Sequence, residues 1–279
     1  MKLVVTDIDE TLSIGNDISP EVVSACERLR KNGWDIMVAT GRMLASSMHH
    51  VRATGTELPA IVYNGARVMD HRTRRPVFET PMDPGLAHEV LKAGWDCPVE
   101  LQVVGDELAF CREDDHITGS YLTGSGITVE ASCEAPFTPD QVFRVLFYGE
   151  RKHILPLERK MKHSFGDRAE IMQAGEGYLD VLSPGVSKGS ALRRWLDSLS
   201  ERPEIVVAVG DHHNDVEMLK EADLAAAPLD ATPEVLSVAD IVMPSAFDAG
   251  FARLAEWLLR MDEERIPRAA GMPGNKLYV

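Results

Sequence analysis

Two aspartates, spaced one residue apart, follow an apolar run near the start of the chain. The segment KLVVTDIDETL covers residues 2–12, and its apolar run 3–5 leads to Asp7 and Asp9. Two carboxylates this close repel each other unless a cation or a proton lies between them. Taken alone, the pair would also fit a solvated strand end, so its meaning depends on which other groups the fold brings beside it.

Further polar residues lie at the ends of other apolar runs or at the start of a predicted helix. They are Thr40, Gly41 and Arg42 in ATGR, Lys188 in VSKGS, and Asp211, Asn214 and Asp215 in GDHHND. Because ligands bind at the carboxyl ends of the strands of an open α/β sheet, we expect these residues to converge on Asp7 and Asp9. The predicted site is therefore acidic and includes a lysine.

Several carboxylates at one edge of a sheet require a cation. Oxygen ligands suit a hard ion, and few protein ligands with open positions suit Mg²⁺, which commonly also binds a phosphate. Thr40, nearby backbone N–H groups and Lys188 could then bind the phosphate oxygens. The residues thus predict phosphoryl chemistry, in which one aspartate binds metal and attacks phosphorus while its neighbour handles a proton.

Strand-like and helix-like segments alternate at both ends of the chain. The strand-like KLVVTD is followed by SPEVVSACERLRKNG, a predicted helix with Ser19 as N-cap and Pro20 at its first position, and then by the strand-like WDIMVATGR. The alternation resumes near residue 188 and runs to the predicted helix GFARLAEWLLRMDEE. It predicts an α/β fold with a doubly wound, Rossmann-like parallel sheet. The tail RIPRAAGMPGNKLYV is predicted to be a surface loop.

The middle of the chain has a different pattern. Between residues 81 and 183, pairs of strand-like segments joined by short turns accompany two or three predicted helices, which favours an antiparallel sheet with helices on one face. We therefore predict a core of residues 1–80 and 184–279, interrupted by an α+β cap of residues 81–183. Polar residues near its strand ends are candidates for substrate specificity, namely Arg112, His116 and Tyr178.

Composition excludes several classes of partner. The chain has 29 Lys and Arg against 44 Asp and Glu, a net charge of −15, which argues against non-specific nucleic-acid binding. No apolar stretch approaches the ~20 residues of a membrane helix. The 4 cysteines form no CxxC pattern and are expected to be reduced thiols. We expect a soluble cytoplasmic protein without nucleic-acid or membrane partners, and no pattern indicates an oligomeric state.

Four segments together resemble the motifs of a known family. DIDET, ATGR, Lys188 and GDHHND, in this order, are similar to the four motifs of the haloacid dehalogenase-like phosphatases. The insertion between the second and third motifs resembles the type-two cap of the Cof-like subfamily. IVYNGA and DLAAAP are also similar to segments of that subfamily, and the resemblance runs from about residue 2 to residue 260.

The resemblance implies a role for each motif residue. Asp7 is the nucleophile that forms an aspartyl-phosphate, and Asp9 is the general acid and base, with a backbone carbonyl that also binds Mg²⁺. Lys188 offsets the charge of Asp7 and of the transferring phosphoryl group. The implied phosphate- or substrate-binding residues are Thr40, Gly41, Arg42, Lys188 and Asn214. The implied Mg²⁺ ligands are Asp7, Asp9, Asp211 and Asp215, with Asn214 helping to orient that site.

Two residues depart from the family pattern, and several others have alternative interpretations. Glu10 stands where the family usually has a small residue, often Gly, and His212 stands where Gly or another small residue is common.

A transition-metal site at His212 and His213 is disfavoured because adjacent side chains seldom point the same way. His49 and His50 are expected on a helix surface, and Arg42 fits either a rim salt bridge or a substrate contact.

Three functions are compatible with these observations. The leading hypothesis is an Mg²⁺-dependent phosphatase that acts on small phosphorylated metabolites through an aspartyl-phosphate. The second is a phosphotransferase resembling phosphomannomutase, which the motifs do not separate from the first. The third, a non-catalytic sugar-phosphate-binding protein, is disfavoured because Asp7, Asp9, Lys188 and Asp211 are all present.

Overall fold

The computed structural model describes residues 1–106, 108–115, 128–132, 141–175, 177–261 and 276–279. The strands are β1 (Lys2–Thr6), β2 (Trp34–Val38), β3 (Ala60–Val62), β4 (Arg67–Asp70), β5 (Arg75–Glu79), β6 (Glu100–Val104), β7 (Leu108–Arg112), β8 (Thr128–Ser132), β9 (Arg144–Tyr148), β10 (Glu170–Gln173), β11 (Tyr178–Leu182), β12 (Ile205–Val209), β13 (Leu224–Pro228), β14 (Ile241–Met243) and β15 (Leu277–Tyr278). The α-helices are α1 (Pro20–Lys31), α2 (Leu44–Thr54), α3 (Pro84–Gly94), α4 (Arg151–Phe165), α5 (Lys188–Asp197), α6 (Val216–Glu221), α7 (Pro233–Val238) and α8 (Gly250–Arg260).

A six-stranded parallel sheet, in the order β15-β14-β13-β12-β1-β2, carries the site. Its strands are apolar on both faces because helices cover both. On one face Val4 and Val207 pack with residues of α1 and α8. On the other face Leu3 and Val206 pack with residues of α5, α6 and α7. The predicted doubly wound α/β fold is confirmed.

The order of the strands places a crevice beside β1. The chain passes from β1 to β2 on one side, and later enters β12 on the other side and continues outward through β13 and β14. Such a reversal of direction separates the loops that follow β1 and β12, and ligands of open α/β sheets bind there. Thr6 lies opposite Val209 in the parallel register, so the next residues of both strands face the same crevice.

A second six-stranded sheet, here called the cap sheet, has the order β10-β11-β9-β6-β7-β8. Its pairings are antiparallel except for β7 with β8. Helices α3 and α4 pack on one face of the cap sheet, where Val90 of α3 and Leu157 of α4 share a hydrophobic cluster with Phe147 of β9. The predicted α+β insertion is therefore present, whereas its exact boundaries at 80/81 and 183/184 stay predictions. Strand β8 was not predicted.

Strands β3, β4 and β5 form a small antiparallel sheet whose first turn packs against α5. The turn contains Asn64 and Gly65 with φ of 51° and 101°, a region that favours Asn and Gly. A Cβ at Gly65 would lie 2.1 Å from the carbonyl oxygen of Ser187. Only a glycine therefore allows this turn to approach the start of α5 so closely.

The end of the chain corrects one prediction. The tail was predicted to be a surface loop; its residues 265–275 lie outside the described residues, whereas Leu277 and Tyr278, both exposed, pair in parallel with Ile241 and Val242 and extend the sheet at its edge. Among the described residues, no helix has the length and apolar character needed to cross a membrane. The described cysteines are free thiols, Cys26, Cys97 and Cys111, and Cys133 lies outside the described residues.

Candidate active site

Asp7 and Asp211 meet in the crevice between β1 and β12. The Asp7 N–H donates to the Val209 carbonyl at 2.9 Å, which continues the sheet by one residue and fixes the start of the Asp7 side chain. The Thr11 hydroxyl donates to Asp211 Oδ1 at 2.8 Å. Asp7 and Asp211 are both buried, each 6% exposed. The first and fourth motifs therefore converge as predicted.

Asp215 completes a group of three carboxylates. One oxygen from each of Asp7, Asp211 and Asp215 lies within 4.8 Å of the others. The second oxygen of Asp215 accepts the N–H groups of Asp211 and His212, both at 3.1 Å. This turn is tight, since a Cβ at Gly210 would lie 2.5 Å from Asp215 Cβ. The GD of the fourth motif therefore needs its glycine for the approach of Asp215.

Lys188 lies between two of these carboxylates. It is the first residue of α5, after the N-cap Ser187, whose hydroxyl accepts the Ser190 N–H at 3.0 Å. Its Nζ lies 2.8 Å from Asp7 Oδ1 and 2.7 Å from Asp215 Oδ1. Burial acts to lower the pKa of Lys188, but Asp215 and Asp7 more than offset it and raise that pKa. The ammonium is therefore held in its charged form.

The three carboxylates together carry more negative charge than the single ammonium of Lys188 can balance. Burial raises the pKa of Asp7, and Asp215 and Asp9 raise it further against the opposing effect of Lys188. Burial also raises the pKa of Asp211, followed by Asp215 and Asp7. Among the residues that the structure describes, Asp211 forms no ion pair. An oxygen-only group with uncompensated charge fits a hard divalent cation, so these three residues could hold a metal ion.

The side chain of Asp9 is not part of this group. It lies at the rim, 47% exposed, where Arg42 Nε donates to Asp9 Oδ2 at 2.8 Å and Arg42 Nη2 donates to Asp9 Oδ1. Arg42 Nη1 also donates to Asn16 Oδ1 at 3.0 Å. Of the two interpretations of Arg42, the structure shows the rim salt bridge. The roles of Asp9 in proton transfer and metal binding stay predictions.

Thr40 and Gly41 lie in the turn that follows β2. Thr40 is buried, its N–H donates to the Ile61 carbonyl at 2.9 Å, and its hydroxyl accepts the Arg42 N–H at 3.1 Å. A Cβ at Gly41 would lie 3.0 Å from Asn64 Oδ1, so the second motif and the turn after β3 are in close contact. Their predicted role in binding phosphate stays a prediction.

Three polar residues beside the site, Asn64, Asp180 and Arg144, were not predicted from the sequence. Asn214 Nδ2 donates to Asn64 Oδ1 at 2.9 Å, and Asn64 Nδ2 donates to Asp180 Oδ2 at 2.5 Å. Arg144 Nη1 donates to the Gly41 carbonyl at 2.6 Å and lies 3.6 Å from Asp180 Oδ2. A signal was available, because Asp180 and Arg144 are charged residues inside the apolar segments YLDVL and RVLFY. Asn64 lies in IVYNGA, a segment whose resemblance to the subfamily gave it no role at the site.

The three cap residues proposed as specificity candidates have other surroundings. The Arg112 guanidinium donates to Asp115 at 2.9 and 3.0 Å and to cap-loop carbonyls, including that of Cys97 at 3.4 Å. Tyr178 is the first residue of β11, and the centroid of its ring lies 4.6 Å from the centroid of the Tyr148 ring. His116 lies outside the described residues. Arg112 therefore ties cap loops together, and Asp180 and Arg144 take the positions next to the core.

The structure also bears on the predictions for Glu10, for His212 and His213, and for His50. Glu10 has a φ of 56°, a left-handed conformation that explains why a glycine suits this position. Neither His212 nor His213 belongs to the carboxylate group. The surface prediction for His50 is wrong, because His50 is 1% exposed on the buried face of α2. Burial, together with the Arg42 guanidinium, lowers the pKa of His50 to about 4.

Comparisons with known proteins agree with this architecture. A family model described as haloacid dehalogenase-like hydrolase matches residues 4–254. The HMP-PP phosphatase of Citrobacter koseri is 26% identical over 85% of this chain and 87% of its own length. The HMP-PP phosphatase of Cronobacter sakazakii is 27% identical over 83% and 85%.

A solved structure shows the same fold. A haloacid dehalogenase-like hydrolase from Bacteroides thetaiotaomicron has a TM-score of 0.80 at 18% identity, with 92% of this chain and 99% of that chain covered. The family match spans both segments of the parallel-sheet core and the cap sheet between them. The chain therefore belongs to the haloacid dehalogenase-like hydrolases of the Cof-like type, and the prediction that it is an enzyme of the hydrolase class is confirmed.

Proposed function

We propose that the protein is an Mg²⁺-dependent phosphatase that hydrolyses small phosphorylated metabolites. The observation that carries this proposal is the buried ammonium of Lys188, held at 2.8 Å from Asp7 and 2.7 Å from Asp215 beside the carboxylate of Asp211. One fixed cation next to an excess of carboxylates suits a site that binds a metal ion and a phosphoryl group together. Relatives that are named phosphatases support the same conclusion.

The residues divide the chemistry between them. Asp7 attacks phosphorus and forms an aspartyl-phosphate, while Lys188 offsets the negative charge of both groups. Asp9, at the solvent-exposed rim, donates a proton to the leaving oxygen and then activates the hydrolytic water. A bound Mg²⁺, held by Asp7, Asp211, Asp215 and the Asp9 carbonyl, would supply further charge neutralisation.

The cap favours a small substrate. Arg144 of β9 contacts the Gly41 carbonyl of the core, and Asp180 of β11 contacts Asn64, so the cap sheet contacts the turns that follow β2 and β3. A contact this direct leaves no room for a folded protein between the cap sheet and the core. We accordingly propose a cap that closes over small phosphate esters. Cytoplasmic location stays a prediction of the sequence.

A panel of phosphorylated metabolites tests this proposal. We expect purified protein with Mg²⁺ to release inorganic phosphate from at least one small ester, and EDTA to stop the release until Mg²⁺ is restored. Measurement of a phosphorylated acceptor in the same reactions separates hydrolysis from phosphotransfer to a sugar. Full turnover in EDTA would contradict the metal requirement, and a product that is only a phosphorylated acceptor would favour the phosphotransferase.

A further inference from the structure

A row of polar side chains joins the cap sheet to the core beside the site. Asn214, in the fourth motif, donates to Asn64 at 2.9 Å, and Asn64 donates to Asp180 of the cap sheet at 2.5 Å. Arg144, also from the cap sheet, lies 3.6 Å from Asp180 and donates to the Gly41 carbonyl at 2.6 Å. The cap therefore contacts the second motif directly, at Gly41, and the fourth motif through Asn64.

The strand pattern explains why these cap side chains face the core. Side chains alternate between the two faces of a strand. Leu179 and Val181 of β11, and Val145 of β9, pack against the cap helices. Asp180 and Arg144 consequently lie on the opposite face of the cap sheet, where they are 0% and 8% exposed. Charged residues this well buried are uncommon unless they are paired and used.

Donor and acceptor chemistry orients the amides in this row. An ionised carboxylate only accepts hydrogen bonds, so Asn64 must turn its NH₂ group toward Asp180. Its oxygen then faces Asn214, and Asn214 in turn must present its NH₂ group to Asn64. Burial raises the pKa of Asp180 by more than Arg144 and the Asn64 amide lower it, while Arg144 Nη1 at 3.6 Å supplies the positive charge that pairs with the carboxylate. The hydrogen-bonded row thus connects the carboxylate of the cap to the amide of the fourth motif.

The backbone is also adapted to hold Asn64 in place. Asn64 is fully buried with a φ of 51°, a conformation that costs most residues free energy and that Asn tolerates. The oxygen of its side chain would lie 3.0 Å from a Cβ at Gly41, so the glycine of the second motif leaves the space that this amide occupies. The hydrogen bonds to Asp180 and from Asn214 hold the amide in one orientation.

We propose that Asp180 is a positioning residue, which sets the orientation of the Asn214 amide through Asn64 and thereby links contact of the cap to assembly of the phosphate site. The proposal rests on the proposed function of the site. Asp180 itself contacts neither phosphate nor metal in this scheme. The relay instead makes phosphate binding depend on a carboxylate that arrives from the cap.

Exchanging the two partners tests the relay. Asp180→Asn removes the charge that orients Asn64, and Asn64→Asp places two carboxylates together, although Asp also tolerates the left-handed backbone. The double variant Asp180→Asn with Asn64→Asp restores a donor facing an acceptor, and its carboxylate at position 64 still accepts from Asn214. Asp106→Asn is the matched control, because Asp106 pairs with the core residue Arg67 at a different contact between cap and core.

Binding of inorganic phosphate in the presence of Mg²⁺, measured by calorimetry, is the main readout. We expect each single variant to weaken binding by about ten- to hundred-fold, the range for leaving a buried polar group without its partner. The double variant should recover most of the loss, and Asp106→Asn should bind as the wild type does. Equal weakening in the double variant and in Asp180→Asn would overturn the proposal.

The orientation of the Asn214 amide can be measured independently of phosphate binding and hydrolysis. In ¹⁵N–¹H spectra, we expect the side-chain amide signals of Asn214 to move in Asp180→Asn and to return in the double variant. Unchanged Asn214 signals in Asp180→Asn would overturn the relay, whether or not the protein hydrolyses phosphate esters. A wild type that neither binds phosphate nor hydrolyses esters, but whose Asn214 signals respond as expected, would instead overturn the proposed function and retain the relay.

Discussion

Two cations of the site, Lys188 and Arg42, form ion pairs with aspartates in very different surroundings. Lys188 contacts Asp7 and Asp215 where all three side chains are at most 8% exposed, whereas Arg42 contacts Asp9 where the carboxylate is 47% exposed. In a buried pair each charge depends on its partner, because neither can return to water. At the rim, Arg42 is itself only 10% exposed, but the exposed carboxylate of Asp9 can exchange it for water and salt at small cost. The buried pair is thus suited to a fixed nucleophile, and the rim pair to a group that must exchange protons with solvent.

Asp7→Asn is the strongest test of the buried side of this comparison. An amide cannot form an aspartyl-phosphate, so we expect kcat for a generic aryl phosphate to fall by at least ~10⁴-fold, on the scale of removing other catalytic nucleophiles. The substitution removes one of several neighbouring negative charges, so the thermal unfolding midpoint should not fall. Near-normal turnover by this variant would show that another residue attacks phosphorus.

Lys188→Met and Arg42→Met compare the two cations directly. Loss of Lys188 leaves buried carboxylates without a partner, so we expect the free energy of unfolding to fall by about 3–5 kcal/mol. Loss of Arg42 at the exposed Asp9 should cost less than ~1 kcal/mol. Urea unfolding of both variants measures the difference. Equal losses would mean that burial does not distinguish the two pairs.

Added Mg²⁺ should sharpen the comparison by stabilising only proteins with an intact carboxylate group. At about 100 times the dissociation constant, a ligand that binds the folded state stabilises it by ~2.7 kcal/mol. We expect the wild type and Arg42→Met to show this rise in thermal unfolding experiments, and Asp211→Asn to lose it. A full Mg²⁺ response in Asp211→Asn would place the metal elsewhere.

His50, near the rim pair, provides the smallest effect. Its pKa is lowered to about 4, first by burial and then by Arg42, so the unfolded state binds a proton that the folded state does not between that pKa and ~6.5. The free energy of unfolding must therefore fall as pH falls, by about 2 kcal/mol between pH 7 and pH 5 from this residue. Urea unfolding at pH 7 and pH 5 should show that the free energy of unfolding falls by about 2 kcal/mol less in His50→Leu than in the wild type. The same loss in both proteins would contradict a buried neutral His50.

The sequence was sufficient for the parts of the site that follow from local patterns. Asp7, Asp211 and Lys188 each follow a strand or begin a helix, and strand topology brings such positions together. The contact of Asn64 with Asp180 joins residues 116 positions apart, and no local pattern specifies how a cap rests on a core. His50 was misplaced because a helix with few charges does not reveal which of its faces packs inward.

Gly65 has a consequence for mutational surveys of this chain. Its backbone fits against the Ser187 carbonyl with room for a hydrogen but not for a methyl group, since a Cβ would lie 2.1 Å away. Any larger residue would push on the start of α5, and the ammonium one residue later would move with it. Substitutions at position 65 should therefore inactivate the enzyme by displacing Lys188, and libraries designed to change its specificity should leave Gly65 unchanged.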